Sequence, residues 1–153
     1  MNLLGTREPE LYGRRTYSDL IEYIEKERGS AVGNEISFFQ SNHEGAIIDC
    51  IQNALKTGIQ GIVINGAGYS HTSIAIMDAL KAVGIKTVEV HITDIEAREE
   101  YRKHSYIAEV AIASIAGEGF DGYLKAIDIL CEQCDVLEKF ADCRRHSKTG
   151  NII

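Results

Sequence analysis

Seven side chains in this sequence could move protons or hold an anion: His43, His71 and His91, Arg7, Arg98 and Arg102, and Tyr12. Imidazole is the group best suited to proton transfer near neutral pH, and guanidinium groups hold carboxylates or offset developing negative charge. Tyr12 lies in a loop-like stretch, NLLGTREPELYG, that also carries Arg7. A phenol ordinarily has a pKa near 10, and a neighbouring cation can lower an acid's pKa by about 1–3, which would make Tyr12 a usable general base. Arg98 and Arg102 are spaced one helical turn apart in AREEYR and so would share a helix face. These parts suit a carbonyl compound with an acidic neighbouring C–H. Tyr12 removes that proton, donors hold the enolate oxygen, and His91 protonates a departing group. No Ser, Cys or Lys nucleophile with an adjacent base competes, and no metal-ligand cluster does. Each residue also has a plainer reading. A lone histidine on a strand is usually a satisfied core residue, and a run such as DIEAREEYR is usually a solvated face in which Glu96, Glu99 and Glu100 pair with the arginines.

The elements that must carry these residues follow from hydrophobic period and turn chemistry. Apolar residues Leu20, Ile21 and Ile24 among charges predict a helix over 17–28, capped by Thr16 or Ser18. A β-rich run at 35–40 is followed by an amphipathic helix that ends at Gly58. The apolar run 61–65 predicts a strand buried on both faces, and a helix closed by Gly84 follows it. Strands over 86–92 and 109–117 bracket a short charged helix in DIEAREEYRKHS, and a last helix runs from 119 to about 143. Alternating strands and helices imply a parallel sheet with helices on both faces, with ligands beyond the carboxyl ends of the strands. The segments there are Ser41–Glu44, Asn65–His71, His91–Arg102 and Gly117–Gly122, so the three histidines converge on one sheet edge.

Composition narrows the function. The chain has 153 residues, enough for one domain with its own core, and 44% hydrophobic with 25% charged residues is ordinary globular usage. A net charge of −7 argues against nucleic acid, which needs concentrated Lys and Arg. No apolar run approaches the roughly 20 residues of a membrane span and no signal-peptide pattern opens the chain, so the expected compartment is the cytoplasm. The Cys131/Cys134 pair could suggest zinc or redox chemistry, but it falls in a helical pattern with no second ligand pair. NGAGYSH, with Glu89 downstream, has part of the layout of a dinucleotide fingerprint; His71 replaces the third glycine, and two glycines serve a tight strand-to-helix turn equally well.

Taken together and in order, NLLGTREPELYG, FFQSNHEG, VINGAGYSHTS, VEVHITDI and AREEYRKHSY resemble the type II 3-dehydroquinate dehydratases over residues 2–130. The resemblance implies a flavodoxin-like three-layer α/β sandwich, assembled as a dodecamer of four trimers. It also implies trans dehydration of 3-dehydroquinate to 3-dehydroshikimate through an enolate, with no cofactor and no metal. By position, Tyr12 resembles the base, Arg7 the transition-state stabiliser and His91 the acid for the leaving hydroxyl. Asn65, His71, Ile92, Thr93 and Arg102 match substrate-binding positions, Asp78 matches one that reaches a neighbouring subunit's site, and Glu89 and Arg98 fall at further polar positions. Segment 131–153 carries no motif of that family.

Three departures from the pattern stand out. The family's Asn-Pro-Gly-Ala-Tyr reads Asn-Gly-Ala-Gly-Tyr at 65–69, which should loosen the turn while leaving Asn65 and His71 in place. Thr93-Asp94 replaces Ser-Asn. The family's first strand and the Asn at its end would align upstream of Asn2, so the central position of a 2-1-3-4-5 sheet is expected to be vacant and its neighbouring strand unpaired. The alternative to the enzyme is a catalytically impaired or non-catalytic relative that binds a ligand or serves assembly.

Overall fold

The computed structural model describes residues 1–29, 35–95, 97–141 and 151–152. The opening loop closes in one helical turn, α1 (Pro9–Tyr12), with proline at its first position, where a missing N–H costs nothing. α2 (Tyr17–Ile24) begins at Thr16. The Thr16 hydroxyl accepts from the Asp19 N–H at 3.2 Å while the Asp19 carboxylate accepts from the Thr16 N–H at 2.7 Å, a complete capping box. A π-helical turn, Glu25–Gly29, finishes the expected helix. β1 (Glu35–Ile36) is only the first third of the expected strand. α3 (Glu44–Thr57) ends at Gly58 in the left-handed conformation, as glycine permits. β2 (Ile59–Ile64), α4 (Ile74–Val83), β3 (Lys86–His91), β4 (Ala113–Ala116) and α5 (Asp121–Ala141) follow in the expected alternation, and β5 (Asn151–Ile152) ends it.

All strand pairs are parallel, in the order β1-β5-β2-β3-β4. Strand alternation divides the core in two. Val88 and Val90 of β3 pack with Leu20 and Ile24 of α2 and with Tyr123, Ala126, Ile127 and Leu130 of α5. Ile62 and Ile64 of β2 pack with Ile51 and Ala54 of α3 and with Ile76, Ala79 and Leu80 of α4. The result is the expected three-layer sandwich. Gly61 lets α5 lie close to the sheet, since a Cβ there would stand 3.0 Å from Leu130 Cδ1.

Two expectations are corrected. The charged helix over 94–105 is not formed. The described residues of the segment are loop and turn around one 3-10 turn, Glu100–Arg102. Its sequence offers no apolar stripe to bury, and helices draw most of their stability from such a stripe. The vacancy expected at the centre of the sheet is occupied in part. Asn151 and Ile152 lie between β1 and β2 and pair with both, so β1 is not unpaired. Without them, two strands would face a gap with open N–H and C=O groups. β5 pairs at the level of Ile59 and Gly61 of β2. Beside the rest of β2 lie clefts of about 500 Å³, toward α3, and about 120 Å³, toward α2 and α5. Among the described residues no helix is long and apolar enough to cross a membrane. Glu96, Cys143 and the Cys134 side chain lie outside the described residues.

Candidate active site

Beyond the carboxyl ends of β2 and β3 the chain forms a cleft of about 280 Å³. β2 delivers Asn65, the turn after it delivers His71, and β3 ends in His91 with Ile92 and Thr93 just beyond. The opening loop folds over this edge and contributes Arg7 and Tyr12, and the turn-rich segment after β3 contributes Arg98 and Arg102. Arg7, Tyr12, Asn65, His71, His91, Ile92, Thr93, Arg98 and Arg102 of the sequence-predicted residues line this one cleft, whereas Asp78 is exposed on α4, away from it, and neither His43 nor Glu89 lines it. Of the three histidines, His71 and His91 meet, with rings nearly parallel and centroids 6.0 Å apart. His43 does not join them; it is the exposed N-cap residue of α3.

Tyr12 is half-buried, and Arg98 Nη1 donates to its hydroxyl oxygen at 2.8 Å. That bond, the largest influence on Arg98, raises the guanidinium's pKa above its ordinary value. The Arg7 guanidinium stands 5.8 Å from the centre of the Tyr12 ring and is bound by the Glu8 carboxylate at 2.9 Å, largely in solvent. The nearest cation to the phenolic oxygen is therefore Arg98. Arg102 lies 3.1 Å from a Glu99 carboxylate oxygen, but the Nε–H does not point at it, and this buried atom has no directed hydrogen bond.

Beneath His91 lies Glu89, fully buried in the middle of β3. Its carboxylate accepts from Ser70 and Ser105, each at 2.7 Å, and from Ser114 at 3.1 Å. His91 Nε2 lies 3.0 Å from the same carboxylate, although the N–H direction misses the oxygen, so the contact is electrostatic rather than a directed hydrogen bond. Burial works against the charge, but His91 and the serine hydroxyls outweigh it and hold the Glu89 pKa below its ordinary value. A buried anion thus backs the imidazole at the cleft floor. His71 Nδ1 lies 2.8 Å from the His104 carbonyl oxygen, which can only accept, so Nδ1 carries the proton and Nε2 of the neutral ring is left as an acceptor.

The altered turn after β2 keeps its geometry at a local cost. Gly66 is needed for space: a Cβ there would stand 2.5 Å from both Ile107 Cδ1 and Ser70 Oγ. Ala67 sits at φ 48°, a left-handed backbone that glycine adopts without penalty and alanine does not. Its N–H donates to Asn65 Oδ1 at 3.1 Å, which helps to hold the bend. Sequence reasoning missed the three serines around Glu89 and the phenol of Tyr123 behind Asn65. The signal for the serines was present: a carboxylate inside an apolar strand must find donors.

A parallel three-layer sandwich with a tyrosine, two histidines and three arginines around one cleft beyond its strands defines a flavodoxin-like α/β protein equipped for proton transfer on a small anionic molecule. The chain belongs to the class II dehydroquinase family, whose model, Dehydroquinase class II, matches residues 1–131. It is 50% identical over 133 residues to 3-dehydroquinate dehydratase 1 of Ralstonia nicotianae, covering 87% of this chain and 85% of that protein. It is likewise 50% identical over 139 residues to 3-dehydroquinate dehydratase of Rhodopseudomonas palustris, covering 91% of each. Among solved structures, type II dehydroquinase from Butyrivibrio crossotus superimposes with a TM-score of 0.82 at 47% identity, over 84% of this chain and 89% of that one. The enzyme from Propionibacterium acnes gives 0.80 at 37%, over 86% and 89%.

Proposed function

We propose that the protein is a 3-dehydroquinate dehydratase, a hydro-lyase that removes water from 3-dehydroquinate in trans fashion through an enolate to give 3-dehydroshikimate. The observation that carries the proposal is the meeting of Tyr12, with a guanidinium on its oxygen, and His91, with a buried carboxylate behind it, across one cleft. Tyr12 is the base that takes the proton beside the ketone. Arg98 puts a positive donor on the oxygen that must carry negative charge before it accepts that proton, and Arg7 stabilises the transition state from the same loop. His91 gives a proton to the departing hydroxyl. Asn65, His71, Ile92, Thr93 and Arg102 hold the substrate, with the Arg102 guanidinium at the cleft wall suited to its carboxylate.

The working particle in this proposal is a dodecamer of four trimers in the cytoplasm. Asp78, exposed on α4 and remote from its own cleft, completes a neighbouring subunit's site. Residues 1–130 form the catalytic domain; of the segment 131–153, residues 131–141 continue α5 and Asn151–Ile152 supply the added strand. The test is direct: purified protein mixed with 3-dehydroquinate should produce the ultraviolet absorbance of a conjugated enone, and a catalytic quantity that yields none refutes the proposal.

A further inference from the structure

Asn65 is held at both ends of its amide, and only one of the two holds is local. The Ala67 N–H donates to Oδ1 within the turn, and Nδ2 donates at 2.8 Å to the hydroxyl oxygen of Tyr123, which comes from α5. Because a backbone N–H can only donate, Oδ1 is fixed on the Ala67 side and Nδ2 on the Tyr123 side. That leaves one N–H of the amide and one lone pair of its carbonyl for the cleft. The Tyr123 hydroxyl is fixed in turn: its oxygen accepts from Asn65 while its O–H is directed at Met1 Sδ, 3.9 Å away.

Tyr123 does not line the candidate active site. It lines the separate cleft between α2 and α5, beside Leu20, Ile24 and Ile127, whereas Asn65 faces both. Only 7% of Tyr123 is exposed, and burial pushes its pKa far above that of an ordinary phenol, so the hydroxyl stays neutral and its bond to Asn65 persists across the physiological range. We infer that Tyr123 is a positioning residue, which orients the Asn65 amide for substrate binding without touching the substrate itself. Its place in α5, packed against β3 by the core around Val88 and Val90, ties the amide to the rigid part of the fold rather than to the strained turn.

This inference rests on the proposed function, and its test separates the two. Tyr123→Phe removes a single oxygen. Loss of one neutral hydrogen bond should raise KM for 3-dehydroquinate about three- to tenfold with kcat changed less than twofold, the pattern of lost ground-state binding. In an Asn65→Ala background the same substitution should leave KM unchanged. An unaltered KM in Tyr123→Phe, or an equal rise in the Asn65→Ala background, overturns the inference. The wild-type protein supplies a readout independent of turnover. By NMR, one Asn65 side-chain amide proton should exchange with water markedly more slowly than its partner, and equal fast exchange of both would also overturn it. A wild-type protein that fails to turn over 3-dehydroquinate but shows the unequal exchange would refute the function while leaving the positioning intact.

Discussion

Replacing Arg98 by Met keeps the aliphatic stem and removes the donor that sits 2.8 Å from the Tyr12 oxygen. Hydrogen bonds from a charged donor contribute about 1.5–3 kcal/mol net, and one factor of ten in an equilibrium costs about 1.4 kcal/mol. If that bond favours the charged, base-competent oxygen, Arg98→Met should lower kcat/KM at pH 7 by about 10–150-fold. Loss of the Tyr12 bond should also lower stability by up to about 3 kcal/mol, with at most about 1 kcal/mol more from the contact to the half-exposed Glu99 carboxylate at 3.5 Å. The assay is the initial rate of enone formation at pH 7, with thermal melting as the control for folding. A folded Arg98→Met protein within threefold of the wild-type kcat/KM at pH 7 would refute the reasoning.

Glu89 carries a stability signature in pH. Its folded pKa lies below the ordinary 4.5, so the stability it contributes is present above that value and is lost as pH falls toward the folded pKa. The difference in melting temperature between wild type and Glu89→Gln should therefore be largest near neutrality and shrink below pH 4.5; a gap that stays constant contradicts the assignment. Ala67→Gly should relieve a left-handed alanine worth about 1–2 kcal/mol, less the 0.5–1 kcal/mol entropic cost of glycine, for a gain of about 0.5–1 kcal/mol and roughly 1–4 °C in Tm. A Tm that is unchanged or lower means the turn stores no strain.

Where local chemistry decided the outcome, the sequence was a sound guide. Thr16 followed by Asp19, and Gly58 and Gly84 after apolar-periodic runs, bounded helices within a residue or two. The alternation of elements led to the parallel sandwich, and Tyr12, His91, Asn65 and Arg102 met at the sheet edge where strand ends and topology put them. The failures were non-local. AREEYR has helical spacing, yet its arginines turn toward Tyr12 and Glu99, and no buried stripe supports a helix there. His43 follows a strand like its two counterparts, but it sits exposed at the N-cap position of α3, makes no capping bond and does not reach the cleft. Tyr123 reads in sequence as one more apolar position on a helix; its hydroxyl acquires a role because α5 crosses β2 next to Gly61. The strand Asn151–Ile152 carried no alternating pattern, and its pairing reflects the open edges of β1 and β2 on either side.

The central claim is that Tyr12 performs the proton abstraction in a 3-dehydroquinate dehydratase. Its most direct test is the enone-forming kcat of Tyr12→Phe beside wild type, since the substitution deletes only the oxygen that Arg98 holds. General-base contributions are typically 10²–10⁴-fold, and the account predicts a loss in that range in a protein that still folds and melts cooperatively. A Tyr12→Phe protein that dehydrates 3-dehydroquinate at the wild-type rate would contradict it.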